Sequence, residues 1–234
     1  MLHPIKKKLV ALTGAGISAE SGLATFRGTD GLWEGHRVED VASPEGWARN
    51  PELVLDFYNQ RRAAARAAQP NAGHRALVEL EQDFDVVILT QNVDDLHERA
   101  GSSQVIHLHG KLFESRSSLH EELVYPMESD RIELGQMCEK GHQLRPNIVW
   151  FGEQVPLMEL AMDEAATADI FLVVGTSLQV YPAANLVHYA PSFCPIYVID
   201  PHQPPLMGRP NLHFVTEPAS TGVAQVAAAL RSSL

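Results

Sequence analysis

Leu9-Val10-Ala11-Leu12-Thr13-Gly14-Ala15-Gly16-Ile17-Ser18-Ala19-Glu20-Ser21-Gly22 is the stretch on which the fold turns. A continuous aliphatic run breaks into a glycine turn and then a helical pattern, the passage from a buried strand into a helix. Glycines there let the backbone approach a phosphate, and free amides at a helix start attract its charge. Taken alone, the turn is equally compatible with a plain tight turn. The usual dinucleotide fingerprint also asks for an acidic residue roughly twenty positions on, at the end of a second strand. Here that distance falls inside an insertion, which disfavours a hydride-transferring dehydrogenase but not a nucleotide.

Working outward, four more runs of this kind follow: Val86–Leu89, Val105–Leu108, Ile170–Val174 and Ile196–Ile199. They alternate with helical patterns, so the fold class is α/β, a Rossmann-like parallel sheet with helices on both faces plus a smaller inserted lobe. Polar or glycine ends mark the ligand side at Thr13-Gly14, Thr90-Gln91-Asn92, His109-Gly110 and Gly175-Thr176-Ser177. More than seventy residues separate the first two strands, too many for one crossover helix. Within them Asn50 caps and Pro51 opens a helix that runs from Glu52 to Ala68, and Asn71 caps a second over Ala72–Gln82. Lys111–Arg145 has mixed charge and no sustained period, and reads as an irregular block. The expected division of this single domain, 1–234, is a core of about 1–24, 70–110 and 146–234 and a small lobe of about 25–69 and 111–145.

The 234 residues are 45% hydrophobic, 20% charged and 7% aromatic, the proportions of an ordinary soluble globular protein. Eighteen basic against 29 acidic residues give −11, with no basic block, so nucleic acid and anionic membrane are poor partners. Lys6-Lys7-Lys8 with the following aliphatic run imitates a signal peptide, but the glycine turn cuts it short. No stretch approaches the roughly 18 apolar residues of a membrane span. Cys138 and Cys194 are too few for a disulfide framework or a four-cysteine zinc site. A cytoplasmic, monomeric protein is expected.

Side chains at the strand ends carry chemistry. Gln91 and Asn92 are neutral groups suited to ribose and amide recognition, and Asp94 can accept from a carboxamide nitrogen. Asp94 and Asp95 equally suit a helix start. Of eleven histidines, His109 is the general-base candidate by position, standing before Gly110 at a strand end.

Gly14-Ala15-Gly16-Ile17-Ser18 with Thr25-Phe26-Arg27-Gly28, then Gln91-Asn92-Val93-Asp94-Asp95-Leu96-His97, His107-Leu108-His109-Gly110, Trp150-Phe151-Gly152-Glu153 and Gly175-Thr176-Ser177, together resemble a sirtuin. Within that family the chain most resembles bacterial enzymes that remove acidic acyl groups as well as acetyl. The resemblance implies NAD-dependent deacylation of lysine side chains in proteins or peptides, releasing nicotinamide and an acylated ADP-ribose. It places NAD at Gly14, Ala15, Gly16, Ser18, Phe26, Arg27, Gln91, Asn92, Asp94, Gly175, Thr176, Ser177, Asp200 and Ala219. Phe26 would shield the reactive sugar carbon. Asn92 would bind the ribose and the catalytic water, and His109 would deprotonate a ribose hydroxyl after the acyl oxygen has attacked the anomeric carbon to form an alkylimidate. Phe151, Gly152 and Glu153, with Val180 opposite, would clamp the acyl-lysine peptide.

Departures from the family concern metal. Sirtuins usually carry two Cys-x-x-Cys pairs in the small lobe. Here the first place reads Ser117-Ser118-Leu119-His120, and only Cys138 remains of the second. A mixed site of Cys138, His142 and His120 lacks a fourth ligand, so zinc is not expected. Apolar packing by Leu112, Phe113, Leu123, Val124, Tyr125 and Leu144 would hold the lobe instead.

Acyl choice rests on the helix after Pro51. Val54, Phe57, Ala64 and Ala68 form an apolar stripe on which Arg61 also falls, while Arg62 and Arg66 are free to stay solvated. By spacing alone Arg61 snorkels out of the stripe or pairs with a carboxylate such as Asp56. The resemblance reverses this: Tyr58 and Arg61 match the Tyr-x-x-Arg pair with which acidic-acyl sirtuins hold the distal carboxylate. Ala63, Ala64 and Ala65 would leave room for it. Two other functions remain open, ADP-ribosyl transfer to protein and non-catalytic NAD binding. The acyl-lysine set argues against the first, and His109 with Asn92 against the second.

Overall fold

The aliphatic run of the first motif becomes β1 (Lys8–Thr13), buried throughout after Lys8. The computed structural model describes residues 6–25, 32–204, 206, 209 and 211–233. After β1 come α1 (Ala15–Ala19), the hairpin strands β2 (Leu32–Trp33) and β3 (His36–Arg37), and α2 (Val38–Val41), α3 (Pro44–Arg49), α4 (Pro51–Ala67) and α5 (Ala72–Leu80). Then follow β4 (Asp85–Thr90), α6 (Leu96–Ala100), β5 (Val105–His107), β6 (Gly110–Ser117), β7 (Val124–Pro126), β8 (Leu144–Ile148) and α7 (Met158–Ala166). The chain ends with β9 (Ile170–Val174), α8 (Leu186–Tyr189), β10 (Ile196–Ile199), β11 (Leu212–Val215) and α9 (Ala219–Arg231).

Six strands form one parallel sheet in the order β11-β10-β9-β1-β4-β5. Thr13 of β1 stands level with Thr90 of β4 on one side and Val174 of β9 on the other. The strand order reverses at β1, so the crevice that opens there, beyond the carboxyl ends, is where such sheets bind ligands. Because side chains alternate along a strand, Val10, Leu12, Val87, Leu89, Phe171 and Val173 pack on α7 and α8, while Leu9, Ala11, Val86, Ile88, Leu172 and Val174 pack on α5 and α9.

Two departures from the sequence reading concern strands. Leu108 lies beyond the end of β5, although its amide still reaches Thr90 O at 2.9 Å. β11 is an unanticipated edge strand whose central His213 and Phe214 are exposed, so it lacks the continuous aliphatic run of its neighbours.

Lys111–Arg145 is irregular over 118–123 and 127–143, but strands run through the rest of it. β7, β6 and β8 form an antiparallel sheet, with Gly110 level with Ile148. Its buried positions include Ser115, Arg116, Ser117 and Arg145, so polar partners replace the apolar alternation that announces a strand. Leu55, Ile132, Cys138 and Leu144 pack together with Leu123 and Tyr125, and Leu112 and Phe113 pack toward α4. Val124, expected in this packing, is 42% exposed.

Both predicted caps form. Asn50 Oδ1 accepts from Leu53 N at 3.1 Å, and Asn71 Oδ1 from Gly73 N at 2.9 Å. The buried face of α4 is wider than the predicted stripe: Val54, Phe57 and Ala68 are buried as expected, Tyr58, Asn59, Arg62 and Ala65 are buried beside them, and Ala64 is exposed. Arg62 is not solvated but wholly enclosed, donating from Nε to Leu112 O at 2.5 Å and from Nη1 to Asn59 Oδ1 at 2.9 Å and Asp130 O at 2.8 Å. Burial lowers its pKa to about 10. These bonds pin α4 to β6 and so position Tyr58 and Arg61. Arg66 is half-exposed, pairs with Asp130 and covers the Phe113 ring at 4.9 Å. No helix among the described residues is long and apolar enough to cross a membrane.

Candidate active site

At the crevice the turn after β1 interlocks with the turn after β9. Gly14 N donates to Val174 O at 3.0 Å and Gly16 N to Gly175 O at 2.8 Å. A Cβ on Gly14 would stand 2.7 Å from Thr176 Cβ, and one on Gly16 2.6 Å from Gly175 Cα. The glycines are thus required first by the close approach of two protein turns, with any ligand coming second.

The loop after β4 closes over this junction. Asn92 Nδ2 donates to Gly14 O at 3.1 Å and Ser18 Oγ at 3.2 Å, and Gln91 Nε2 to Thr176 Oγ1 at 3.0 Å. Asp94 stands at the helix start foreseen for it. Its Oδ1 accepts from Leu96 N at 3.1 Å, tying the start of α6, and its Oδ2 from Ser18 Oγ at 3.1 Å on the cleft wall. Burial raises the Asp94 pKa, partly offset by those two bonds.

His107 and His109 meet different groups: β5 ends at His107, so the alternation that would put residues two apart on one face does not reach His109. His107 bonds Asn92 O at 3.0 Å through Nδ1 and Glu98 Oε1 at 2.7 Å through Nε2, bracing the loop from behind. His109 lines the cleft with Nδ1 at 3.1 Å from Gln91 O. A carbonyl can only accept, so Nδ1 carries the proton of the neutral ring and Nε2 keeps its lone pair. Burial pushes the His109 pKa below its ordinary value, partly offset by the Gln91 bond.

The far wall comes from α4 and the loop after β8. Tyr58 is fully buried, and its oxygen accepts from Trp150 Nε1 at 3.1 Å. The phenolic hydrogen has no acceptor among the described residues, and burial pushes the phenol pKa well up. Arg61 lies over the Trp33 ring at 4.3 Å and faces Glu34 Oε1 at 3.6 Å through Nη1. Burial lowers its pKa, and the nearby Tyr58 acts in the opposite direction. Glu153 belongs to an internal network: Oε1 accepts from Arg116 Nη2 at 2.9 Å and Arg145 Nη1 at 2.8 Å. Its Oε2 accepts from Arg145 Nη2 at 3.1 Å and Trp150 N at 2.8 Å. The Arg145 guanidinium also covers the Trp150 ring at 3.2 Å. Between Trp150 and Glu153, Phe151 N donates to Ala42 O at 3.0 Å, and Gly152 takes φ +91°.

One cavity of about 930 Å³ joins these walls. It is lined by Gly14, Ala15, Gly16, Ser18, Gln91, Asn92, Asp94, His109, Gly175, Thr176, Ser177, Asp200 and Ala219, and further along by Tyr58, Arg61, Phe151, Gly152, Glu153 and Val180. Phe26 and Arg27 lie outside the described residues. Trp33, Glu34 and Trp150 also reach the cavity. Sequence reasoning left them out of the site because the first two belong to a short hairpin with no helical or strand period, and Trp150 stood only as part of a peptide motif. Cys138 Sγ lies 3.4 Å from Ser117 Oγ, and the His120 and His142 rings sit 5.2 Å apart. Among the described residues no three His, Cys, Asp or Glu side chains gather as metal ligands, against the four a structural zinc takes.

A parallel sheet of this order, with glycine turns at the reversal point and a cleft shared with an inserted lobe, defines a dinucleotide-binding α/β protein. The chain belongs to the Sir2 family, whose pattern matches residues 14–182. It is 56% identical over 195 residues to an NAD-dependent protein deacylase of Helicobacter pylori, covering 83% of this chain and 85% of that one. To a protein of the same description from Bacteroides thetaiotaomicron it is 48% identical over 225 residues, 94% and 96% of the two chains. A solved Sir2 homolog–NAD complex superposes with a TM-score of 0.88 at 42% identity, covering 97% of this chain and 91% of that one.

Proposed function

We propose that this chain is an NAD-dependent protein-lysine deacylase whose acyl site accepts succinyl and malonyl as well as acetyl groups. The supporting observation is the continuity of one cavity from the interlocked glycine turns, past His109, to the buried Tyr58 and Arg61. NAD, bound as co-substrate, would supply the activated sugar carbon at which the acyl oxygen replaces nicotinamide. Gly14, Ala15, Gly16, Ser18, Gly175, Thr176, Ser177, Asp200 and Ala219 would hold it, with Gln91, Asn92 and Asp94 at its ribose and carboxamide. Phe26 and Arg27 stay in this reading as cofactor-loop residues. His109 takes the proton of a ribose hydroxyl at Nε2, Nδ1 being occupied by Gln91 O.

The acylated lysine of a protein or peptide enters beside Phe151, Gly152 and Val180. Glu153 contributes through Trp150 and Arg145 more than by direct contact, given its four internal bonds. At the α4 end of the cavity Arg61 supplies charge, and Tyr58, whose oxygen is already held by Trp150, directs its hydrogen to the acyl carboxylate. Breaking such an arginine–carboxylate contact costs about 2–5 kcal/mol. Arg61→Met therefore depresses desuccinylation and demalonylation at least about tenfold and deacetylation much less, and Tyr58→Phe shifts the ratio the same way. Mass spectrometry of one peptide carrying acetyl, succinyl or malonyl lysine reads this directly, and equal losses on all three would make the pair structural. Nicotinamide release that does not depend on an acylated peptide would instead favour ADP-ribosyl transfer.

A further inference from the structure

Glu34 lines the cavity at its acyl end, and this reading leaves it without a role. It sits at the tip of the β2–β3 hairpin, with φ +51° at Glu34 and +80° at Gly35. Two positive φ values in a two-residue loop mark a tight primed turn that fixes where its side chains leave the backbone. The hairpin is clamped to α4 by rings: Trp33 lies edge-on to Phe57 at 5.1 Å and to Tyr58 at 6.4 Å, and His36 lies edge-on to Phe57 at 5.6 Å. The clamp brings the Glu34 carboxylate to 3.6 Å from Arg61 Nη1. Arg61 is 15% exposed and Glu34 46%, so only the acidic partner has room to swing into solvent. Both residues line the cavity.

The geometry points to Glu34 as a specificity-determining residue, an internal carboxylate that occupies Arg61 when the acyl group is uncharged and competes with the distal carboxylate of a succinyl or malonyl group. This rests on Arg61 being the acyl-carboxylate partner. An incoming acidic acyl group meets a cation already paired and a carboxylate that it must displace. An acetyl group makes neither demand. Glu34 thus lowers the preference for acidic over neutral acyl groups and keeps Arg61 compensated in the empty site.

The test is kcat/KM on one peptide carrying acetyl-, succinyl- or malonyl-lysine, for the unaltered protein, Glu34→Gln, Arg61→Met and the double variant. A half-exposed pair of this kind sets an effect of about two- to fivefold. The succinyl-to-acetyl ratio is expected to rise by that factor in Glu34→Gln, through KM. The gain should shrink as salt is added, because the competing charge is solvent-screened. In the Arg61→Met background Glu34→Gln should leave the ratio unmoved. A ratio that falls in Glu34→Gln would make Glu34 a positioner of Arg61, and an unchanged ratio would leave it a surface ion pair. Either result overturns the proposal while the collapse of the ratio in Arg61→Met still stands. If Arg61→Met does not collapse the ratio, the acyl-carboxylate reading fails and the Glu34 proposal falls with it.

Discussion

Replacing Glu153 by Gln probes the joint between the small antiparallel sheet and the loop that carries Trp150. The carboxylate is 17% exposed and its partners Arg116 and Arg145 only 8% and 7%, so solvent does little to screen the three charges. Neutralising one member of a buried ion pair costs about 3–5 kcal/mol, because the charge left behind has no counterpart. In a chain of this size each kcal/mol lowers Tm by about 2–4 °C, so Glu153→Gln should unfold about 6–20 °C lower at neutral pH. Burial acts to raise the Glu153 pKa, but the bonds and charge of Arg145, with Trp150 N and Arg116, outweigh it and hold the group below its ordinary value. A carboxyl with a depressed folded pKa contributes stability that is full above the unfolded value, about 4.3, and is lost as pH falls through the lower folded value. The gap between the unaltered protein and Glu153→Gln must therefore close in acid. Thermal unfolding followed by circular dichroism from about pH 7 down to about pH 3 measures both effects. Arg145→Met with Glu153→Gln should lose less than the two single variants added together. A shift under about 2 °C at neutral pH, or a gap that does not change with pH, would refute the reasoning.

Three further outcomes follow from the site. His109→Ala should bind NAD and fold normally while turnover falls about 10²–10⁴-fold, and the acid limb of kcat/KM in the unaltered protein should lie below the ordinary histidine value of about 6.5; near-normal turnover would remove His109 from the chemistry. Gly16→Ala forces a Cβ to 2.6 Å from Gly175 Cα, so it should lose about 1–3 kcal/mol of stability by denaturant titration and weaken NAD binding by calorimetry. Treatment with a strong chelator should leave Tm unchanged, since apolar packing and the Arg116–Glu153–Arg145 network hold the small lobe; one zinc per chain by elemental analysis, with unfolding on its removal, would contradict this.

Five of the six parallel strands were legible because a strand covered on both faces needs a continuous aliphatic run: β1, β4, β9 and β10 each have one, and the edge strand β5 has the shorter Val105-Ile106. The ligand edge was legible for a related reason: strands end where polar and glycine residues begin, and those ends converge at the carboxyl edge whatever the details of the crossovers. Caps at Asn50 and Asn71 were legible because a cap is a local bond, made two or three residues away. That His109 stands on the ligand side was legible from its place before Gly110 at a strand end.

Tertiary structure decided what depends on partners distant in sequence. The antiparallel sheet was hidden because its buried Arg116 and Arg145 read as surface charge until Glu153 is brought between them. Arg62, expected in solvent, is enclosed because carbonyls of Leu112 and Asp130, roughly fifty and seventy residues on, accept from its Nε and Nη1. Arg61 meets neither Asp56 nor open water, because a hairpin folded over α4 brings Glu34 to it. Helical spacing says which side chains share a face. Whether a charge on that face is buried is set by the groups the rest of the chain brings to meet it, since burial is stable only where a partner offsets the lost hydration.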